Sequence, residues 1–127
     1  MVNSITSLGK WLFILPFIVF GFMHLAKADQ MTGLVPAYMP GGSMWIYLTG
    51  LAQIAFALSV IIGKYDKLAA LLCALMLFIF ILTLHLPGLS SFQMSDLAMR
   101  NMLKDLGLIA GALMYAHAFA RDTSVVG

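Results

Sequence analysis

Residues 68–86 read LAALLCALMLFIFILTLHL and contain no charged side chain. An apolar run of about 18 or more residues predicts a membrane-spanning helix, because a helix of that length crosses about 30 Å of hydrocarbon with its backbone hydrogen bonds satisfied. The sequence contains four such stretches: Leu8–Ala26, Met44–Ile62, Leu68–Leu86 and Met102–Ala120. Their charged residues, Lys10, Lys104 and Asp105, all lie near the ends. We therefore predict an all-α integral membrane protein, a four-helix bundle of antiparallel spans that forms one domain over residues 1–127.

Composition supports this prediction over the whole chain. Hydrophobic residues make up 62% of the 127 residues and charged residues only 9%, whereas soluble domains average about 25% charged residues. The formal net charge of +2 is too small and too dispersed to indicate nucleic acid binding. The single cysteine, Cys73, excludes an internal disulfide and a CxxC redox motif. No residue pattern predicts a metal site.

The connections between the stretches predict how the spans are arranged. Gly63–Lys67 is very short, so the second and third spans should form an antiparallel hairpin. The two long connections, Lys27–Ser43 and Pro87–Asn101, then lie on the same side of the membrane. Four lysines and arginines near the span ends lie on the side of the termini and three on the side of the long loops. This bias favours cytoplasmic termini and outer long loops.

Polar side chains are concentrated in the half of the predicted bundle next to the long loops. They come from all four spans: His24, Trp45, Thr49, Gln53, His85, Asn101 and Asp105. Residues four apart share one face of a helix. This spacing relates Trp45, Thr49 and Gln53 on the second span, and Asn101 and Asp105 on the fourth. Polar groups inside a span are costly, normally face the bundle interior, and often mark a functional site. We therefore predict that these residues bind a ligand near the outer face.

Aromatic and small side chains extend from this polar group towards the other end. An aromatic stripe at helical spacing leads along the first span to an imidazole: Phe13, Phe17, Phe20 and His24. On the last span, Ala112 and Ala116 share the face of Asp105 and are expected to leave room for a ligand. A cavity with aromatic walls, a floor of small residues and polar groups at one end suits a flat apolar ring with polar edges, such as a quinone head group.

Simpler interpretations of the same residues remain open. Phenylalanines at helical spacing are typical of ordinary packing, and Gln53 is suited to a hydrogen bond between helices. His24 and His85 lie near the membrane interface, where water could solvate them, and Lys104 with Asp105 could form an interfacial ion pair. Two histidines on different spans are also compatible with haem ligation, although this signal is unspecific and haem is not favoured.

Several short motifs suggest a family relationship. They are Gly21-Phe22-Met23-His24, Val35-Pro36-Ala37-Tyr38-Met39-Pro40, Tyr47-Leu48-Thr49-Gly50-Leu51-Ala52-Gln53, and Lys104-Asp105-Leu106-Gly107 with Gly111-Ala112. In this order and spacing the chain resembles the DoxX-like family of small membrane proteins. The resemblance implies a compact four-helix bundle in the bacterial inner membrane, and one branch of the family is a subunit of a thiosulfate:quinone oxidoreductase. Many members have a glutamate where this chain has Gln53, so the resemblance does not extend to a proton-transfer role, whereas it leaves ligand binding open because an amide can still donate and accept hydrogen bonds.

Two classes of function follow from these observations. The first is a redox-linked membrane subunit that binds a quinone-type or other small apolar ligand. In it, His24 and His85 would hydrogen-bond the ligand's carbonyl oxygens, Asp105 would set the charge state of a histidine, and a partner redox protein would carry the cofactor. The second is an assembly protein without chemistry, because Gly107 and Gly111 form a GxxxG motif that permits close contact with a neighbouring helix or a second copy of the chain. A small transporter is less favoured, since the span interiors contain no acidic residue.

Overall fold

The computed structural model describes residues 1–93 and 95–127, and within them it contains helices and no strand. The α-helices are α1 (Val2–Thr6), α2 (Gly9–Ala26), α3 (Ser43–Ile62), α4 (Asp66–Phe80), α5 (Leu86–Gly88) and α6 (Ser95–Ala118). A 3₁₀ segment, Ala28–Leu34, follows α2, and a π-helical turn, Ile81–His85, joins α4 to α5. The predicted all-α class is confirmed. Helix α6 begins well before the predicted Met102, because hydropathy marks only the apolar part of a helix whose first turns are polar.

In the part of the chain that the structure describes, three helical segments are long and apolar enough to cross a membrane: Val2–Ala26, Ser43–Ile62 and Asp66–Gly88. The prediction of a membrane protein is supported to this extent. Helix α6 is as long as these segments, but its mean hydropathy is lowered by polar residues in its first half, among them Asp96, Arg100, Lys104 and Asp105.

Helices α2 and α3 run antiparallel and cross at two glycines. A Cβ atom on Gly50 would lie 2.9 Å from the carbonyl oxygen of Gly21, and one on Gly21 would lie 3.0 Å from the carbonyl oxygen of Gly50. Because neither residue has a side chain, the two backbones approach more closely than larger residues would allow. Both glycines belong to the motifs quoted above, so their presence there has a packing reason.

Helices α4 and α6 are also antiparallel, and a polar contact joins them near each end. Tyr115 donates its hydroxyl hydrogen to Asp66 over 2.8 Å at one end. His85, just beyond α4, lies 2.7 Å from Asp105 at the other. This second contact lies on the side of the long loops.

The buried core lies between these two ends. Its aromatic centre consists of Phe17 and Phe56, whose rings pack edge to face at 4.9 Å, and Phe13 packs edge to face against both. The expectation that Ala112 and Ala116 form the floor of a ligand cavity is wrong. Both are at most 4% exposed, and neither lines either of the two cavities described below. Their small side chains serve close packing of α6 against its neighbours.

A buried aspartate organises the end of the bundle opposite the long loops. Asp66 is fully buried. Its carboxylate accepts hydrogen bonds from the Tyr115 hydroxyl and from the backbone N–H groups of Lys67, Arg121 and Asp122, all within 3.0 Å. No sequence pattern marks this residue, since three of its four partners, Tyr115, Arg121 and Asp122, lie about fifty positions away along the chain. One carboxylate therefore joins the start of α4 to α6 and to the segment after it.

The segment after α6 makes further contacts with the α3–α4 turn. The Arg121 guanidinium donates to the carbonyl oxygen of Val60 over 2.8 Å. Asp122 accepts a hydrogen bond from the backbone N–H of Tyr65 over 2.7 Å. Hydrogen bonds from Ser124 and then from Tyr65 lower the pKa of Asp122 to about 2. Arg121 and Asp122 thus connect the segment after α6 to the end of α3 and to the α3–α4 turn.

Candidate functional site

A cavity of about 770 Å³ lies in the half of the bundle next to the long loops. All the predicted site residues line it: His24, Trp45, Thr49, Gln53, His85, Asn101 and Asp105. The rest of the lining is mainly apolar and comes from α2, α3, α4, α6 and the first long loop. The volume falls within the range of small-molecule sites, about 300–1,000 Å³. The structure therefore brings together residues that sequence reasoning selected from four separate helices.

His24 is positioned by α2 and by the glycine crossing. Its Nδ1 lies 2.6 Å from the carbonyl oxygen of Phe20. A carbonyl oxygen can only accept, so Nδ1 must carry the hydrogen of this bond. A Cβ atom on Gly50 would lie 2.8 Å from the His24 Cβ, which shows how closely His24 approaches α3. Any larger residue at position 50 would displace the imidazole.

His85 and Asp105 form the ionisable pair of the cavity. His85 Nε2 lies 2.7 Å from Asp105 Oδ2, and the two side chains are 14% and 5% exposed. His85 belongs to the π-helical turn, and such turns often occur at functional sites because they alter the direction of the side chains they carry. The idea that water solvates His85 is not supported, since Asp105 occupies its Nε2.

Lys104 neighbours this pair at the rim. Its Nζ lies 3.7 Å from Asp105 Oδ1 and 4.8 Å from the centre of the Phe20 ring. The Lys104 side chain is 45% exposed, so its ammonium remains partly solvated. The expected ion pair between Lys104 and Asp105 is present, but Asp105 faces His85 more closely.

Trp45 and Thr49 each donate a hydrogen bond to a backbone carbonyl oxygen of the protein. The Trp45 indole donates to the carbonyl oxygen of Pro40 over 2.5 Å, and the Thr49 hydroxyl donates to the carbonyl oxygen of Trp45 over 2.8 Å. The first bond ties α3 to the long loop before it. Asn101 also lines the cavity, one helical turn before Asp105.

Gln53 is the unusual residue of the lining. Its side chain is almost completely buried, at 5% exposure, and its Oε1 has no hydrogen-bond partner among the described residues. The hydrogen bond between helices that a buried glutamine suggests is therefore not made by this oxygen. A buried polar atom without a partner costs about 1–3 kcal/mol.

The first long loop forms one wall of the cavity. Its 3₁₀ segment contributes Met31 and Leu34, and Pro36 and Met39 follow. Ala28 at the start of the segment is 1% exposed and holds the loop against the bundle. Sequence reasoning missed these residues. The apolar character of the loop was the available signal, because a solvated connection would be more polar.

A second cavity of about 320 Å³ adjoins the first. Ala52, Leu72 and Met76 line both. Small residues of α3, including Ala55 and Ser59, leave this space between α3 and α4. The small residues that leave space beside a cavity thus lie on α3 and not, as expected, on α6.

Two further expectations concern metals and the GxxxG motif. Within residues 1–93 and 95–127, no group of three or more histidine, cysteine, aspartate or glutamate side chains could hold a metal ion. A Cβ atom on Gly111 would collide with the Phe13 ring of the same chain, whereas one on Gly107 would meet nothing within 4 Å. Gly111 thus serves contact with α2, and Gly107 alone remains open to another molecule.

The comparisons with known proteins give a family and no activity. A family model described as a domain of unknown function, DUF8561, matches residues 14–116. The match extends from α2 to the last turn of α6 and includes every residue of the predicted site. Neither a curated protein nor a solved structure matches the chain.

Proposed function

We propose a function for this chain, which belongs to the DUF8561 family: it is a four-span integral membrane protein that binds a flat apolar ring of the quinone type. It would act as an accessory subunit of a membrane oxidoreductase whose partner carries the redox cofactor. The observation that supports this proposal is the convergence of His24, Gln53, His85 and Asp105 on one apolar cavity. The resemblance to DoxX-like proteins is in agreement with it.

The distribution of side chains on α6 supports a fourth span. Its exposed residues include Leu103, Leu106, Leu113 and Met114, whereas Asp105 is 3% exposed. A helix with an apolar outer face and an ionisable inner face is typical of a membrane bundle, in which polar groups are turned away from lipid. Helix α6 would then complete the bundle with the three candidate spans.

The two cavities together suit an amphiphilic ligand. The larger has polar groups along one part of an apolar wall, which matches a ring with polar edges. The smaller contains no charged side chain and shares three lining residues with the larger. An apolar chain attached to the ring could extend from the first cavity into the second, between α3 and α4.

The proposal can be tested by titrating the purified protein in detergent with decylubiquinone and a short-chain menaquinone, following tryptophan fluorescence. Trp45 lines the cavity, so a bound ring should quench its emission. We expect saturable binding that weakens about tenfold or more in His24→Ala and His85→Ala, a loss of about 1.4 kcal/mol for each factor of ten. His117→Ala is the matched control, because His117 is exposed and lies outside the cavity. Absence of saturable binding to either probe, or equal binding by all the variants, would refute the proposal.

A further inference from the structure

We infer that the ligand enters the larger cavity laterally from the bilayer, through a gap between α3 and α4, and is therefore a molecule that resides in the hydrocarbon of the membrane. This inference rests on the proposed function and adds the route of entry. We call the gap the lateral opening. Five apolar residues that line the larger cavity define it: Leu48, Ala52, Leu72, Leu75 and Ile79.

The packing of the long helices leaves space along this line. Helices α2 and α3 pack closely, as do α4 and α6, whereas these two pairs meet each other less extensively. Near the short turn between α3 and α4, Val60 and Ala70 are completely buried. Farther from the turn, the smaller cavity and one side of the larger lie between α3 and α4. The two helices are therefore closed against each other at one end and separated by a gap towards the other.

The residues of the lateral opening are also exposed on the surface of the bundle. Its four large side chains are 46–55% exposed, and Ala52 is exposed as well. Ala52 is the clearest case, because a single methyl group is too small to present one part to a cavity and another to the surface. Ala55, one turn farther along α3, is likewise exposed and lines the smaller cavity. Both cavities thus reach the surface between α3 and α4.

The lateral opening lies near the middle of two candidate spans. Ala52 is the tenth of the 20 residues of α3, and Leu75 is the tenth of the 23 residues of Asp66–Gly88. A gap at this depth of a spanning helix faces hydrocarbon and not water. The neighbouring Thr83 donates its hydroxyl hydrogen to the carbonyl oxygen of Ile79, which satisfies this donor without water. An apolar ring with a chain can pass here without leaving the hydrocarbon.

The other sides of the larger cavity suit an apolar ligand less well. The first long loop covers the end towards water, and the Trp45 indole bonds it to α3 through the carbonyl oxygen of Pro40. Between α2 and α6, the Lys104 ammonium lies over the Phe20 ring at the rim. A charged group there is costly to remove from water, which disfavours passage of an apolar chain. Entry beneath the loop, beside the exposed Tyr38, is the alternative route that the experiment tests.

A ligand bound through the lateral opening keeps its chain in the opening and in the surrounding lipid. The length of that chain is then not limited by the volume of the cavities. A cavity that opened only to water would instead exclude a chain longer than the cavities can hold. Chain length therefore distinguishes the two routes.

The experiment compares two quinones with the same ring in proteoliposomes. Ubiquinone-1 has one isoprene unit, whereas the chain of ubiquinone-10 is too long for the cavities and confines the molecule to the bilayer. Binding is followed by quenching of Trp45, and the Trp45→Phe variant, which keeps Trp11, measures the background. We expect saturable binding of both quinones. Binding of ubiquinone-1 alone would overturn the inference and leave the proposed function intact, whereas binding of neither would overturn the proposed function itself.

Ala52→Phe tests the lateral opening directly. A phenyl ring at this position narrows the gap that a long chain must occupy, so the affinity for ubiquinone-10 should fall about tenfold or more while that for ubiquinone-1 changes about threefold at most. Ala110→Phe makes the same change at an exposed position of α6 outside both cavities and should bind both quinones like the parent protein.

Thermal denaturation shows whether Ala52→Phe is folded. Equal losses of affinity for the two quinones in the folded variant, or an unchanged affinity for ubiquinone-10, would contradict entry between α3 and α4. The comparison of the two quinones in the parent protein decides the route even if this variant unfolds.

Discussion

Asp66 and Gln53 bury their polar side chains in opposite ways. The Asp66 carboxylate accepts four hydrogen bonds and is completely enclosed. Gln53 is nearly as buried, yet its Oε1 has no partner among the described residues. A satisfied buried group stabilises the fold, whereas an unsatisfied one costs stability unless a ligand completes it. We therefore interpret Asp66 as structural.

This difference predicts a large loss of stability in Asp66→Ala. The change removes four hydrogen bonds and leaves the Tyr115 hydroxyl buried without its acceptor. We expect the free energy of unfolding to fall by about 3 kcal/mol, since hydrogen bonds to charged groups contribute about 1.5–3 kcal/mol each and are only partly replaced by water. Thermal denaturation in detergent measures it. Asp29→Ala, at an exposed aspartate of the first loop, is the control. Equal melting temperatures of Asp66→Ala and Asp29→Ala would contradict the structural role of Asp66.

At the scale of the helices, glycines decide how closely α2 and α3 approach. We expect Gly50→Ala to lower the free energy of unfolding by about 1–3 kcal/mol, because its Cβ would overlap Gly21 and His24 and force the helices apart. Ligand affinity should fall as well, since His24 moves with α2. Gly107→Ala is the matched control. A Cβ there meets nothing within 4 Å, and replacing a glycine inside a helix stabilises by about 0.5–1 kcal/mol. Melting temperatures that shift in the same direction would contradict this account.

The smaller cavity, between α3 and α4, leads to a prediction about an apolar chain attached to the ligand's ring. Ala55→Phe should fill the smaller cavity without touching the larger, because Ala55 lines only the former. Affinity for decylubiquinol or decylubiquinone should fall several-fold, whereas affinity for the ring without its decyl chain should stay the same. The titration described above measures both. Ala110→Phe, on the exposed face of α6, makes the same change outside the cavities and should have no effect. Equal losses of affinity for the ligands with and without the decyl chain would show that no chain occupies the smaller cavity.

At the scale of the whole molecule, apolar side chains face outwards, and the two buried carboxylates, Asp66 and Asp105, lie near opposite ends of the bundle. The large exposed hydrophobic residues are spread over all the long helices, as expected for a surface in contact with lipid. The two ends differ in kind. One is closed by hydrogen bonds around Asp66, and the other contains the cavity. This asymmetry matches a bundle in which one end maintains the fold and the other binds a ligand.

The proposed topology predicts where single cysteines can be labelled from outside the cell. Gln30→Cys and Gln93→Cys place a thiol in each long loop, and Ser4→Cys and Thr123→Cys place one near each terminus. A membrane-impermeant maleimide applied to intact cells should label the two loop variants and label the terminal ones only after lysis. The buried Cys73 provides the background control in the parent protein. Labelling of one loop but not the other would contradict an even number of spans between them.

The residues of the candidate site could be predicted from the sequence, but their hydrogen-bonding pattern and the shape of the cavity could not. The spacing of Thr49 and Gln53 places them on one face of a helix, and the cost of polar groups inside a span indicates that they turn inwards. The same reasoning failed for Ala112 and Ala116, because a small residue leaves space only where its neighbours do not fill it. It also missed Asp66, whose hydrogen bonds come from residues distant in sequence.

The sequence by itself determined the all-helical class and the candidate spans. Long charge-free runs need internal backbone hydrogen bonds in an apolar environment, and that requirement is local. Only the tertiary structure decided which hydrogens of the cavity are already used, which oxygen remains unpaired, and where empty space lies. These features depend on the rotation and depth of each helix, which are set by contacts such as Gly21 with Gly50 and His85 with Asp105. No local pattern encodes such contacts, because they join residues on different helices.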